Sequence, residues 1–80
     1  MKIEVLGTGC AKCKRLEENV RKAVQETGVK AEVVKVQDLD QIISRGVMLT
    51  PALIIDDEQK AVGRVPGVEE IVLMLKGAGQ

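Results

Sequence analysis

Hydrophobic and polar residues follow regular patterns along the chain that predict seven elements. Lys2 to Leu6 alternates and predicts a strand, and Gly7-Thr8-Gly9 breaks the alternation. A helix is predicted from Cys10 to about Thr27, because apolar residues recur there at intervals of three and four. These residues are Cys13, Leu16, Val20, Ala23 and Val24. Glu17 and Arg21 are four residues apart on the outer side, the spacing of a helical ion pair.

The middle of the chain predicts two strands and a short helix. Ala31 to Val36 is rich in β-branched residues, which favour a strand. Asp38 is placed to cap a short helix that ends by Gly46. Ala52 to Ile55 is a near-continuous apolar run, which is typical of a central strand buried on both faces.

The end of the chain predicts a hairpin and a final helix. Lys60 to Arg64 is predicted to pair with the preceding strand across a turn at residues 56–59, and Pro66-Gly67 opens a helix that ends at Gly77. The order is β-α-β-α-β-β-α. It predicts a single α/β domain over residues 1–80, with a four-stranded mixed sheet and helices on both faces.

Composition narrows the functional classes. The 80 residues include no His and no aromatic residue, which excludes His-based nucleophile pairs, His metal sites and base-stacking surfaces. Twelve basic and twelve acidic residues cancel, which argues against a nucleic-acid or anionic-membrane partner. The longest apolar run is five residues, Ile71 to Leu75, too short to span a bilayer. We therefore expect a cytoplasmic protein without a membrane partner.

The candidate chemistry lies in Cys10-Ala11-Lys12-Cys13, between the first strand and the first helix. This spacing brings two sulfurs to one side of a helical turn, close enough to bridge. Cys10 is predicted at the helix N-terminus, where the helix dipole and the charge of Lys12 stabilise a thiolate. Cys13 falls on the apolar stripe. The roles then separate: Cys10 attacks a disulfide, and Cys13 resolves the mixed disulfide that forms.

Two other functions use the same cysteines. Residues 7–13 match the G-x-x-C-x-x-C loop of heavy-metal-associated copper chaperones, and paired thiolates suit Cu(I) or Zn²⁺. A soft-metal binding or delivery module is therefore the alternative. A third possibility is a small interaction domain whose cysteine pair only senses redox state. The predicted final helix discriminates, because the copper-chaperone fold ends in a strand.

The pattern as a whole resembles the thioredoxin/glutaredoxin superfamily, and most closely its minimal archaeal and bacterial redox-active disulfide proteins. The resemblance covers about residues 2 to 76 and rests on the cysteine pair, on Thr50-Pro51 before the apolar strand, and on the terminal hairpin and helix. The usual thioredoxin motif has Trp before the first Cys and Gly-Pro between the two, where this chain has Gly9 and Ala11-Lys12.

The resemblance implies roles for three more residues. Pro51 would be a cis-proline packed against the cysteine pair, and the backbone of Thr50 would pair with an extended substrate segment. Thioredoxins carry a buried acid six residues before the first Cys, and Glu4 stands there. Glu4 is thus either a proton relay for Cys13 or a solvated strand carboxylate.

The implied activity is that of a thiol–disulfide oxidoreductase, or electron carrier, that reduces protein disulfides. The expected partners are disulfide-bonded proteins and either a thioredoxin-reductase-like or a glutathione-dependent reductant. No cofactor is expected beyond the Cys10–Cys13 pair itself, and we expect a monomer.

Overall fold

The computed structural model describes residues 1–9 and 11–78, and it confirms the predicted α/β class and element order. The elements are β1 (Lys2–Leu6), α1 (Ala11–Thr27), β2 (Glu32–Val36), α2 (Leu39–Ser44), β3 (Ala52–Ile55), β4 (Glu58–Val62) and α3 (Val68–Ala78). Among the helices of this described part, none combines the length and the apolar character needed to cross a bilayer.

The strands form one mixed sheet in the order β2-β1-β3-β4. β1 pairs in parallel with β2 through the α1 crossover and antiparallel with β3, and β3 pairs antiparallel with β4. The β1–β3 register places Leu6 opposite Ala52. The C-terminal end of β1 therefore lies beside the N-terminal end of β3, and the loops attached to these two ends share one end of the sheet.

Alternation along β1 distributes its side chains between two helical layers. Ile3 and Val5 belong to the cluster that packs α1 and α3 on one face of the sheet. Leu6 belongs to a second cluster that packs α2 on the opposite face. Helices on both faces, as predicted, bury both sides of β1 and β3, and among the described residues Cys13 and Glu4 are the non-aliphatic members of an otherwise aliphatic core.

The hairpin differs from its predicted boundaries. β4 begins at Glu58 rather than Lys60, because the turn consists of Asp56 and Asp57 alone, with φ of 48° and 68°. Positive φ at both central residues matches the right-handed twist of the paired strands, and Asp tolerates this conformation better than most residues. A two-residue turn lets Ile55 pair directly with Glu58.

α3 closes the same face of the sheet as α1. Its buried residues Ile71 and Leu75 join the α1 cluster, and Asn19 of α1 donates a hydrogen bond to the carbonyl of Pro66 at 3.0 Å. The helix does not end at Gly77 but continues to Ala78. A glycine ends a helix when it adopts positive φ, and Gly77 has no such φ.

Candidate functional site

Cys13 lies in the first turn of α1 with its side chain turned into the core. It is 6% exposed and shares the buried stripe of α1 with Leu16, as the spacing predicts. Cys10, the predicted nucleophile, lies outside the described residues, so the geometry of the site is built from Cys13 and its neighbours. Lys12 is exposed on the same turn, and its predicted effect on the Cys10 thiolate stays a prediction.

Gly7 makes room for the Cys13 sulfur. A Cβ added to Gly7 would lie 3.0 Å from the Cβ of Cys13 and closer still to its Sγ. The backbone of Gly7 is held in place, because its N–H donates to the carbonyl of Val36 at 2.9 Å. The glycine that follows β1 therefore serves more than the turn: it lets the sulfur approach the end of the sheet.

Thr50 and Pro51 lie at the same end of the sheet. The peptide bond between them is cis, Pro51 is buried and Thr50 is exposed. The Pro51 carbonyl accepts a hydrogen bond from the N–H of Gly63 at 2.8 Å, which ties this loop to the end of β4. Since Ala52 pairs with Leu6, the next residues outward, Pro51 and Gly7, are neighbours across the strands. The fold thus places Cys13 and the Thr50–Pro51 loop at the same end of the sheet.

Two large apolar side chains next to Thr50 face solvent. Met48 is 88% exposed and Leu49 is 62% exposed, and Leu49 lies where a Cβ on Gly63 would contact it at 3.2 Å. Together with Thr50 they form a surface that we call the proline-loop surface (residues 48–50).

Glu4 is buried, with its side chain only 1% exposed, but it lies on the α2 face of the sheet. Its Oε2 accepts a hydrogen bond from Nη1 of Arg45, the residue that caps the C-terminus of α2. Nζ of Lys2 lies 3.6 Å from the other carboxylate oxygen. The solvated-strand reading of Glu4 is therefore wrong. Its carboxylate points away from the face that carries α1, on which Cys13 packs.

Sequence reasoning did not identify Arg45. Its position near the end of a short helix carries no signal of the face it covers, because that depends on how α2 packs on the sheet. Only the packed structure shows that the C-terminus of α2 places the guanidinium of Arg45 next to the carboxylate of Glu4.

Polar side chains line a small recess beside Cys13, between α1 and β2. Val5, Gly7 and Gly9 form its apolar and backbone walls, and Lys14, Glu17, Lys35 and Gln37 supply its polar groups. Glu17 and Arg21 form the predicted ion pair at 3.0 Å, but Glu17 is not on an outer face, since its side chain is only 18% exposed. Its second carboxylate oxygen lies 3.5 Å from Nζ of Lys35 on β2.

The ion pairs favour the charged form of Glu17. Burial raises the pKa of its carboxyl, but the hydrogen bond from Arg21 and the positive charges of Lys35 and Arg21 outweigh burial, so the pKa is lowered. Glu17 is therefore an anion at neutral pH, held between two cations.

Comparison with known proteins identifies the family. The family model for the thioredoxin domain matches residues 1–76. A protein named thioredoxin from Methanothermobacter thermautotrophicus is 48% identical over 75 residues, covering 94% of this chain and 97% of its own length. One with the same name from Methanocaldococcus jannaschii is 47% identical over 74 residues, covering 92% and 85%. The chain belongs to the thioredoxin family.

Membership in the thioredoxin family confirms the resemblance seen in the sequence. It supports a thiol–disulfide oxidoreductase, which in general acts on protein disulfides and is served by a reductase. The comparisons give no support to the soft-metal alternative.

Proposed function

We propose that this protein reduces disulfide bonds in other proteins through a Cys10–Cys13 dithiol. The observation that carries the proposal is the place of Cys13: it is buried in the first turn of α1, at the sheet end that also holds the Thr50–Pro51 loop. A buried second cysteine suits a resolving role, because it reacts only with a sulfur already held at the site.

The reaction balances with the two thiols as the reductant. The Cys10 thiolate attacks one sulfur of the substrate disulfide, and the other substrate sulfur leaves as a thiolate and takes up a proton. Cys13 then loses its proton and attacks the Cys10 sulfur, which releases the second substrate thiol and leaves a Cys10–Cys13 disulfide. Two electrons pass to the substrate. A reductase or a glutathione-dependent reductant returns them, and no cofactor takes part.

The position of Cys10 in the chain suits it to make the first attack. It immediately precedes Ala11, the first residue of α1, and backbone N–H groups at a helix N-terminus favour a thiolate. The nearby ammonium of Lys12 acts in the same direction, since a cation close to a thiol favours its charged form.

The proline-loop surface supplies the docking site in this proposal. An extended substrate segment pairs with the exposed backbone of Thr50, and apolar substrate side chains cover Met48 and Leu49. Recognition through main-chain bonds and apolar contact asks for little charge complementarity, which suits a carrier with several protein partners. We propose that it acts as a cytoplasmic monomer.

The role of Glu4 as a proton relay for Cys13 stays a prediction. The burial of Glu4 favours a relay, because the carboxyl is shielded from solvent. The ion pair of Glu4 with Arg45 argues against a relay, because it lies on the opposite side of the sheet from α1. A Glu4→Gln variant tests it: a relay predicts a changed pH dependence of disulfide exchange, and an unchanged profile leaves Glu4 as a structural ion pair.

Reduction of insulin disulfides with dithiothreitol as the electron source tests the proposed function. Wild-type protein should accelerate the reaction, and Cys10→Ser should abolish the acceleration. Cys13→Ser should instead trap a mixed disulfide with the substrate, visible by mass spectrometry. The pair should titrate as a two-electron couple at roughly −200 to −300 mV. Insulin reduction that is no faster with wild-type protein than with Cys10→Ser contradicts the proposal.

A further inference from the structure

The recess beside Cys13 is lined by charged side chains of both signs. Its volume is about 30 Å³, which is enough to hold a water molecule. α1 contributes Lys14 and Glu17 to its lining and β2 contributes Lys35, whereas the described lining residues of β1 and the loop after it, Val5, Gly7 and Gly9, are uncharged. Gln37, the remaining polar group, is neutral.

Glu17 is placed to act on Cys13 because the two residues are one helical turn apart. Side chains at i and i+4 have Cβ atoms about 5–6 Å apart, and helical side chains lean toward the N-terminus. Glu17 therefore lies on the same face of α1 as Cys13, and both residues line the recess. Only 18% of it is exposed, so solvent screens its charge less than that of a surface carboxylate.

Lys35 holds this carboxylate from the neighbouring strand. Its Nζ lies 3.5 Å from Oε1 of Glu17, while Nη2 of Arg21 lies 3.0 Å from Oε2. An anion near a thiol disfavours the thiolate, and a cation favours it. The two charges of the Glu17–Lys35 pair therefore act on Cys13 in opposite directions, so removing Glu17 and removing Lys35 should shift the ionisation of Cys13 oppositely.

The carboxylate of Glu4 does not face the recess beside Cys13. It is held by Arg45 on the α2 face, whereas Val5, the next residue of β1, lines the recess with Cys13. Neighbouring residues of a strand point to opposite faces of the sheet. Of Glu4 and Glu17, it is Glu17 that lies on the same side of the sheet as Cys13 and lines the recess with it.

We propose that Glu17 and Lys35 together set how readily the Cys13 thiol gives up its proton. The inference rests on the proposed function, in which Cys13 must lose its proton before its sulfur attacks the mixed disulfide at Cys10. The pair takes no part in electron transfer, and Glu17 and Lys35 are positioning residues for the ionisation of Cys13.

The test measures the thiol pKa of Cys13 in a Cys10→Ser background, by thiolate absorbance in the ultraviolet. The chain has no Tyr, Trp or Phe to obscure that signal. Glu17→Gln removes the anion from the recess and should lower the pKa of Cys13 by about one unit. Lys35→Met removes a cation from the recess and should raise the pKa of Cys13 by about one unit. Each shift corresponds to about a tenfold change in the thiolate fraction below the pKa.

Three controls separate charge from structure. Glu18→Gln and Lys30→Met remove exposed charges that do not line the recess, and they should leave the pKa of Cys13 at the parent value. Lys35→Arg keeps the charge and should also match the parent. Opposite shifts in the two test variants support the proposal. If either test variant leaves the pKa unchanged, or both shift it in the same direction, the proposal is overturned.

The titration result can be interpreted separately from the test of the proposed function. The titration needs no substrate and no disulfide exchange, so it reads the electrostatics of Cys13 even if wild-type protein fails to reduce insulin. Conversely, insulin reduction by the wild type together with unshifted titrations retains the proposed function and rejects only the role of Glu17 and Lys35.

Discussion

Replacing Gly7 with alanine tests the packing between the end of β1 and the start of α1. The added Cβ would lie 3.0 Å from the Cβ of Cys13 and closer still to the sulfur, whereas carbon atoms in favourable contact are about 3.5–4.0 Å apart. The contact is relieved only if the Gly7 backbone or the Cys13 side chain is displaced, and both are held in place. The Gly7 N–H is bonded to the Val36 carbonyl at 2.9 Å, and Cys13 is 6% exposed within the core.

Two opposing effects set the expected magnitude. Forcing an extra methyl group into a packed core costs about 1–3 kcal/mol. Gly7 does not adopt positive φ, so alanine fits its backbone and gains about 0.4–1 kcal/mol by restricting the unfolded chain. The net loss in the free energy of unfolding should be about 1–2 kcal/mol, which for a domain of this size lowers the Tm by roughly 5–15 °C.

Urea and thermal unfolding of the reduced protein measure the change, with Gly77→Ala as the matched control. A Cβ at Gly77 meets nothing within 4 Å, and alanine is the better helix former, so this variant should gain about 0.5–1 kcal/mol. In a Cys10→Ser background, Gly7→Ala should also speed alkylation of Cys13, because the displaced sulfur moves toward solvent. A Gly7→Ala protein as stable as wild type, with Cys13 alkylated at the wild-type rate, would refute the packing argument.

Three further predictions concern charge and backbone. Arg45→Met should lower the free energy of unfolding by about 2–3 kcal/mol, which is below the roughly 3–5 kcal/mol of a fully buried pair because Arg45 is 34% exposed. Adding Glu4→Gln to the Arg45→Met variant should restore part of this loss. A loss of less than about 1 kcal/mol for Arg45→Met in urea unfolding contradicts the prediction. The pKa of Glu17 is lowered in the folded state, so its stabilisation is present above the ordinary carboxyl pKa and is lost as pH falls through the folded pKa. Glu17→Gln should therefore be less stable than wild type at neutral pH, and the gap should close as the pH falls through the lowered pKa of Glu17; a gap that stays constant in urea titrations at acidic and neutral pH would disprove it. Asp57 has a φ of 68°, which glycine adopts more readily than other residues. Asp57→Gly should therefore raise the free energy of unfolding by about 0.5 kcal/mol, and Asp57→Ala should lower it by about 1 kcal/mol. Thermal unfolding measures both changes, and the reverse order of stability rejects the turn assignment.

The amino-acid sequence determined the order and type of the elements. The apolar stripe of α1 and the continuous apolar run of β3 indicate which surfaces are buried. This is possible because residues on one face recur about every 3.6 positions in a helix and every second position in a strand. The position of the cysteine pair between a strand and a helix was also readable, and with Thr50-Pro51 it indicated the superfamily before any coordinates.

The tertiary structure decided which side chains meet. Glu4 was singled out by its offset from Cys10, but its partner Arg45 and its place on the α2 face follow from how the helices pack on the sheet. The ion pair of Glu17 with Arg21 was visible as a four-residue spacing. Its contact with Lys35 was not, because Lys35 belongs to another strand.

The same distinction holds at Gly7. A glycine after a strand indicates a turn, and nothing local shows that a sulfur six residues later occupies the space of its missing side chain. Periodicity carries information about burial along one element, whereas the approach of two elements depends on strand register and helix docking. The elements and the cysteine pair could therefore be predicted from the sequence. The electrostatic surroundings of Cys13 could not, because they depend on how α1 packs against β1 and β2.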